Sequence, residues 1–163
     1  PTSPTWIRDL SLADEFLGDV DLAQGDADAA VKRYEASLAR MIPLRDSDPD
    51  NTDHQRFTSV THLKAGDVLE SQGRLDAARA HFRAGMAVSE RLVARDPGNG
   101  QWSWDLFRAC QRMASSTPPG TEWHARALAV LERMDADGIL DSGNRKWIAI
   151  TRERLEASRA GRD

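Results

Sequence analysis

One stretch of this chain is written twice, 48 residues apart. Gln24-Gly25-Asp26-Ala27-Asp28-Ala29-Ala30 returns as Gln72-Gly73-Arg74-Leu75-Asp76-Ala77-Ala78. Tyr34 returns as Phe82, Leu38 as Met86, and Asp48-Pro49-Asp50-Asn51 as Asp96-Pro97-Gly98-Asn99, with no gap needed. A fixed period of this size marks a supersecondary unit, repeated because one copy cannot bury its apolar face alone.

Apolar periodicity fills in the units. Trp6, Leu10, Ala13, Leu17, Val20 and Ala23 recur at three- and four-residue steps, one face of an amphipathic helix over about Thr5 to Gln24. Ser3-Pro4 reads as its N-cap followed by Pro at the first helical position. Gly25 ends that helix in a left-handed cap, and Asp26 can cap the next. The second helix is expected from about Ala27 to Arg45, burying Ala30, Val31, Tyr34, Leu38, Met41 and Ile42. Pro43, lacking an N–H, should bend or end it. A third helix covers about Thr52 to Ser71 and a fourth about Leu75 to Arg95. The third unit drifts, with helices over about Gln101 to Ser115 and Glu122 to Met134, separated by Ser116-Thr117-Pro118-Pro119-Gly120. A last helix over about Arg145 to Ser158 would close an open stack, with Trp147 plugging the end of the core.

The pattern resembles the tetratricopeptide repeat. The residues that carry the likeness are Ala30 then Tyr34, Ala78 then Phe82, Gly18 and Gly66 in the first helices, and Pro49 and Pro97 at the unit ends. They cover about Trp6 to Asn99. The family's usual aromatic of the first helix is Asp14, His62 and Cys110 here, and the unit is longer than the usual 34 or so residues. Counted from Ser37 to Pro49 and on to His62, each helix has gained about two turns, which leaves its buried face almost where it was. The resemblance implies an all-α fold: a right-handed superhelical stack of antiparallel helix hairpins, about seven helices including the C-terminal cap. The expected organisation is one domain over 1–163, with units of about 5–51, 52–99 and 100–137 and a capping helix of about 144–158. Long-helix repeats of this kind resemble those of bacterial multidomain proteins, which implies an adjoining effector or signalling domain.

Composition excludes several classes of function. Pro1–Asp50 carries five basic and eleven acidic side chains, a net of −6, whereas Asn51–Gly98 and Asn99–Asp163 are each +1. A nucleic-acid surface needs a basic stripe, so none is expected on the acidic first unit. No apolar run approaches the roughly 20 residues of a membrane span, and there is no secretory leader pattern. The single Cys110 cannot form an internal disulfide, which fits a reducing, cytoplasmic setting. The chain does not begin with Met, which points to a fragment or a processed form.

Little in the sequence points to catalysis. His54, His62, His81 and His124 show no metal-ligand spacing on one helix face, beyond His54 and His62 eight residues apart. Cys110 reads as a buried, inert thiol. Asp14, Glu15, Asp19 and Asp21 crowd the first helix, but acid–base work would need one of them desolvated. No cofactor and no metal are implied. Trp102, in register with Trp6, reads as core; Trp104, in register with Arg8 and Arg56, reads as an exposed contact.

In repeats of this kind the first helix of each pair lines a concave groove. Relative to Gly18, Gly66 and Ala114, that places Leu12, Glu15, Phe16 and Asp19 in the first unit. It places Val60, Leu63, Lys64 and Asp67 in the second, and Arg108, Gln111, Arg112 and Ser115 in the third. Family members that clamp a peptide carboxylate use basic residues there, whereas the first unit offers acids. The expectation is a noncatalytic interaction module that binds a peptide or partner helix. A homo-oligomerisation scaffold built through Trp6 is the second reading, and a small enzyme using the acidic cluster is a distant third.

Overall fold

The computed structural model describes residues 3–161. Seven α-helices and no strand occur among them: α1 (Pro4–Ala23), α2 (Ala27–Ser47), α3 (Thr52–Ser71), α4 (Leu75–Arg95), α5 (Gly100–Ser116), α6 (Thr121–Ala136) and α7 (Lys146–Arg159). Among the described residues, no helix is long and apolar enough to cross a membrane. The chain divides into two compact units, Pro1–Val88 and Ser89–Asp163, with the division inside α4.

The repeat punctuates the helices as the physics of their ends requires. Gly25 and Gly73 adopt φ of 86° and 72°, the left-handed region a side chain disfavours, and each reverses the chain after a first helix. Asp26 accepts a hydrogen bond from the Ala29 amide, satisfying one free N–H of the α2 first turn. Asn51 does the same for His54 N, and Asn99 for Trp102 N, so the Asn of Asp-Pro-Xaa-Asn is a helix cap as well as a turn residue. Ser3 makes no side-chain cap, although Pro4 does open α1.

Pro43 neither ends nor shortens α2, which runs on to Ser47. The proline and Ala39, whose carbonyl loses its helical donor, are both exposed, so water can satisfy the freed oxygen.

In the first unit α1 and α2 run antiparallel. Tyr34 packs on Gly18, and the Ser37 hydroxyl donates to the Ser11 carbonyl at 2.7 Å. α3 lies beside α1 in the same direction, bridged from Thr61 and Lys64 to Glu15 and from Lys64 to Asp19. α4 returns along α3, with Phe82 on Gly66 and the Ser59 hydroxyl donating to the Gly85 carbonyl at 2.8 Å. The core of this unit is Ala30, Val31, Tyr34, Leu38, Met41, Ala65, Val68, Leu69, Ala78 and Phe82.

The apolar face read from α1 points outward. Trp6 is 65 % exposed, and Leu10, Leu17 and Val20 are also exposed; the buried residues of the helix are Ser11, Glu15 and Gly18. Small and hydrogen-bonding side chains let α2 approach closely, so the packed stripe of α1 is the less apolar one.

In the second unit α5 packs on α6, and α6 on α7. Phe107, Cys110, Met113, Ala127, Leu131 and Met134 are its buried centre. Trp147 meets the buried Phe107 edge-on, ring centroids 6.1 Å apart, which anchors the start of α7 to α5.

Candidate functional site

Of the eight residues of α1 and α3 that spacing assigned to a groove, all but Leu63 come together in the cleft between the two helices. At its N-terminal end Leu12, Glu15 and Phe16 face Asp53, Arg56, Phe57 and Val60 across a depression of about 280 Å³. Toward the C-terminal ends Asp19 and Leu22 face Lys64, Asp67, Val68 and Ser71, with Tyr34 as floor, across about 330 Å³. Phe16 is 59 % exposed, so a large apolar ring stands on the rim.

Lys64 divides the two depressions. Its ammonium donates to Glu15 Oε1 at 2.6 Å and to Asp19 Oδ2 at 2.7 Å. Thr61 donates to the other Glu15 oxygen at 3.0 Å, and the Tyr34 hydroxyl donates to Asp19 Oδ1 at 2.7 Å. Burial works against charge on Asp19, but the hydrogen bonds from Lys64 and Tyr34 outweigh it and hold the carboxyl below its usual range. Burial likewise opposes charge on Lys64, and its bonds to Asp19 and Glu15 outweigh that and hold its pKa up. Burial, followed by the hydrogen bond to Asp19, pushes the Tyr34 phenol well above its ordinary value. The cluster is therefore a fixed, hydrogen-bonded bridge between α1 and α3 in which one ammonium serves two carboxylates. General acid catalysis wants the opposite arrangement, a carboxyl kept protonated. Asp14 pairs with Arg33 and Arg40, and Asp21 with Arg33, so all four acids crowding α1 face cations.

Leu63 does not line the cleft. It is 4 % exposed and lies against Gly85 of α4, as its register partner Glu15 is buried on the inner side of α1. In the second unit Arg108 and Ser115 are exposed on α5, and Gln111 and Arg112 are half-buried between them on the same side. Trp104 is half-buried with its ring 4.9 Å from Phe107, so it packs within its unit and does not stand free in solvent.

One constellation escaped sequence reasoning. His62 of α3 and His81 of α4 approach with their Nδ1 atoms 3.1 Å apart, one donating and the other accepting. Their offset of 19 residues spans a turn, so no single-helix spacing exposes it; the helix boundaries around Gly73 would have. Burial lowers both pKa values, and His62, which also feels His81 and Arg45, falls to about 4. No group of three or more metal-ligating side chains forms among the described residues. The repeat position of His62 is Asp14 in α1, where arginines answer it, and Cys110 in α5, where burial pushes the thiol up to about 12. One register position is thus filled by an ion pair, a neutral imidazole pair and an inert thiol.

Neither a family model nor a curated protein matches the chain.

Proposed function

We propose that this chain is a noncatalytic protein-interaction module of tetratricopeptide-like build. In this reading its hairpins continue into a right-handed superhelical stack, and it serves in the bacterial cytoplasm as the regulatory or sensor part of a larger protein. The observation that carries the reading is the α1–α3 cleft. It has two depressions that each mix apolar and charged side chains. One is walled by Leu12, Phe16, Phe57 and Val60 with Asp53 among its lining, the other by Leu22, Tyr34 and Val68 beside Asp19. A ready-made ion bridge separates them and needs no ligand to satisfy it. Such a cleft suits a peptide or helix that sets an apolar side chain beside Phe16 and a cation toward Asp53.

Selection from a library of short random peptides on the immobilised chain tests this. Enriched peptides should pair an apolar residue with Lys or Arg and should lose affinity at least ~10-fold against Val60→Asp. A helicity melt must first show that this variant folds. Binders indifferent to Val60→Asp and to Phe16→Asp, or no enrichment, would remove the cleft from consideration.

A further inference from the structure

The outward face of α1 is distinct from the cleft, and the repeat itself says what it is for. Trp6, Leu10, Ala13, Leu17 and Val20 correspond, 48 residues on, to His54, Thr58, Thr61, Ala65 and Val68 of α3. On α3 that face is closed: Thr58, Thr61 and Ala65 are 0 % exposed and Val68 3 %. Part of its cover is visible atom by atom, with Arg45 of α2 reaching Thr58 and Glu15 of α1 accepting from Thr61. The corresponding α5 residues Leu106, Ala109, Met113 and Ser116 are also buried. On α1 alone the face is open, with Leu10, Leu17 and Val20 44–48 % exposed. It is also more apolar than its α3 counterpart, Leu10 and Ala13 replacing Thr58 and Thr61. Asp14, Glu15, Asp19 and Asp21 of α1 are already paired with Arg33, Arg40 and Lys64, and Asp9, which borders this face, pairs with Arg8.

We infer that this face is the docking surface for a helical hairpin of the same 48-residue kind, seated on α1 as α1 and α2 are seated on α3. The hairpin presents apolar side chains where α1 and α2 use Glu15 and Arg45, because Ala13 and Leu10 offer those two charges no partner. A continuous apolar face of this extent on an outer helix is the ordinary mark of a covered surface.

The test extends the chain in its own register. A second copy of Pro4–Asn51, 48 residues, is encoded directly ahead of Pro4, in one version unchanged and in another with Glu15→Leu and Arg45→Leu in the added copy. Leu17→Cys in the downstream α1 reports coverage by its rate of reaction with a thiol reagent, Cys110 being buried. The 163-residue chain should label rapidly at all concentrations. The substituted extension should slow labelling at least ~10-fold, and the unchanged extension less, as expected when local opening must precede reaction. Adding Leu10→Asp to the downstream copy should restore fast labelling. Three results would overturn the inference: unchanged labelling with the added helices folded, an added hairpin that stays unfolded in both versions, or protection of the unextended chain that grows with its concentration. The last would make a second copy of this chain the occupant.

Discussion

The ring of Phe82 occupies the space a β-carbon on Gly66 would need: its Cε1 lies 2.3 Å from that position. Tyr34 stands in the same relation to Gly18, with Cε1 at 2.7 Å. The glycine–aromatic pair is thus a repeated lock between the two helices of a hairpin. Both rings are 0–1 % exposed and hemmed in, so neither can step aside cheaply. Gly66→Ala should destabilise the protein by about 1–3 kcal/mol despite the better helix propensity of alanine. Gly98→Ala, whose nearest neighbour is Asp96 at 3.3 Å in an exposed turn, should be nearly neutral. Urea unfolding of the three proteins decides it, and equal midpoints would mean the ring contact has no consequence.

Removing the cation of the cleft bridge should expose the cost of its anions. Lys64→Met leaves Glu15, whose side chain is 10 % exposed, without a counter-charge. The side chains of Lys64 and Asp19 are 30 % and 42 % exposed, so solvent screens part of the loss, and about 1–3 kcal/mol is expected. Adding Glu15→Gln should recover part of it. A double-mutant cycle in urea that returns no coupling between the two positions would count against a bridge.

The histidine pair predicts an acid limb. Its folded-state pKa values lie below that of a free histidine, so the unfolded chain binds more protons below pH ~6.5 and stability must rise with pH there. The contribution is fully present above about pH 6.5 and fades as pH falls toward about 4, where His62 itself titrates. For His62 the window corresponds to up to about 3 kcal/mol. Stability measured from pH 7 to pH 5 should fall in the parent and fall less in His62→Asn; parallel curves would show that the pair does not govern this limb.

Tyr34 is the only tyrosine in the chain, so its ionisation can be followed by ultraviolet absorbance without ambiguity. It should titrate above the usual range near 10, because ionisation would place a phenolate against Asp19 after breaking their hydrogen bond. Tyr34→Phe should cost about 1 kcal/mol, the worth of a hydrogen bond to a partly exposed carboxylate. A phenol titrating near pH 10 in the folded protein would contradict the contact.

Cys110 is 0 % exposed, with its thiol pushed up to about 12 chiefly by burial. It should resist thiol reagents in the native protein and react at once in denaturant. Rapid native labelling would mean that the second unit opens far more readily than its packing implies.

The sequence alone determined the helices and their punctuation. Periodicity and the repeated Gly25 and Gly73, Pro49 and Pro97 place every element to within one or two residues, because capping and turn chemistry are local. Gly18 and Gly66, and Tyr34 and Phe82, were likewise legible as repeated positions, but that each ring packs on its glycine came only with the structure. Tertiary structure decided which stripe of each helix is inside. The α1 pattern is apolar on the side that stays open, and its packed side is Ser11, Glu15 and Gly18. Periodicity reports where apolar residues fall on a helix, not which neighbour arrives, and a close-packed neighbour prefers glycine and serine to leucine. The same reason removed Leu63 from the cleft wall and brought His62 to His81: both outcomes depend on how α4 lies against α3, a relation between helices that no single helix encodes.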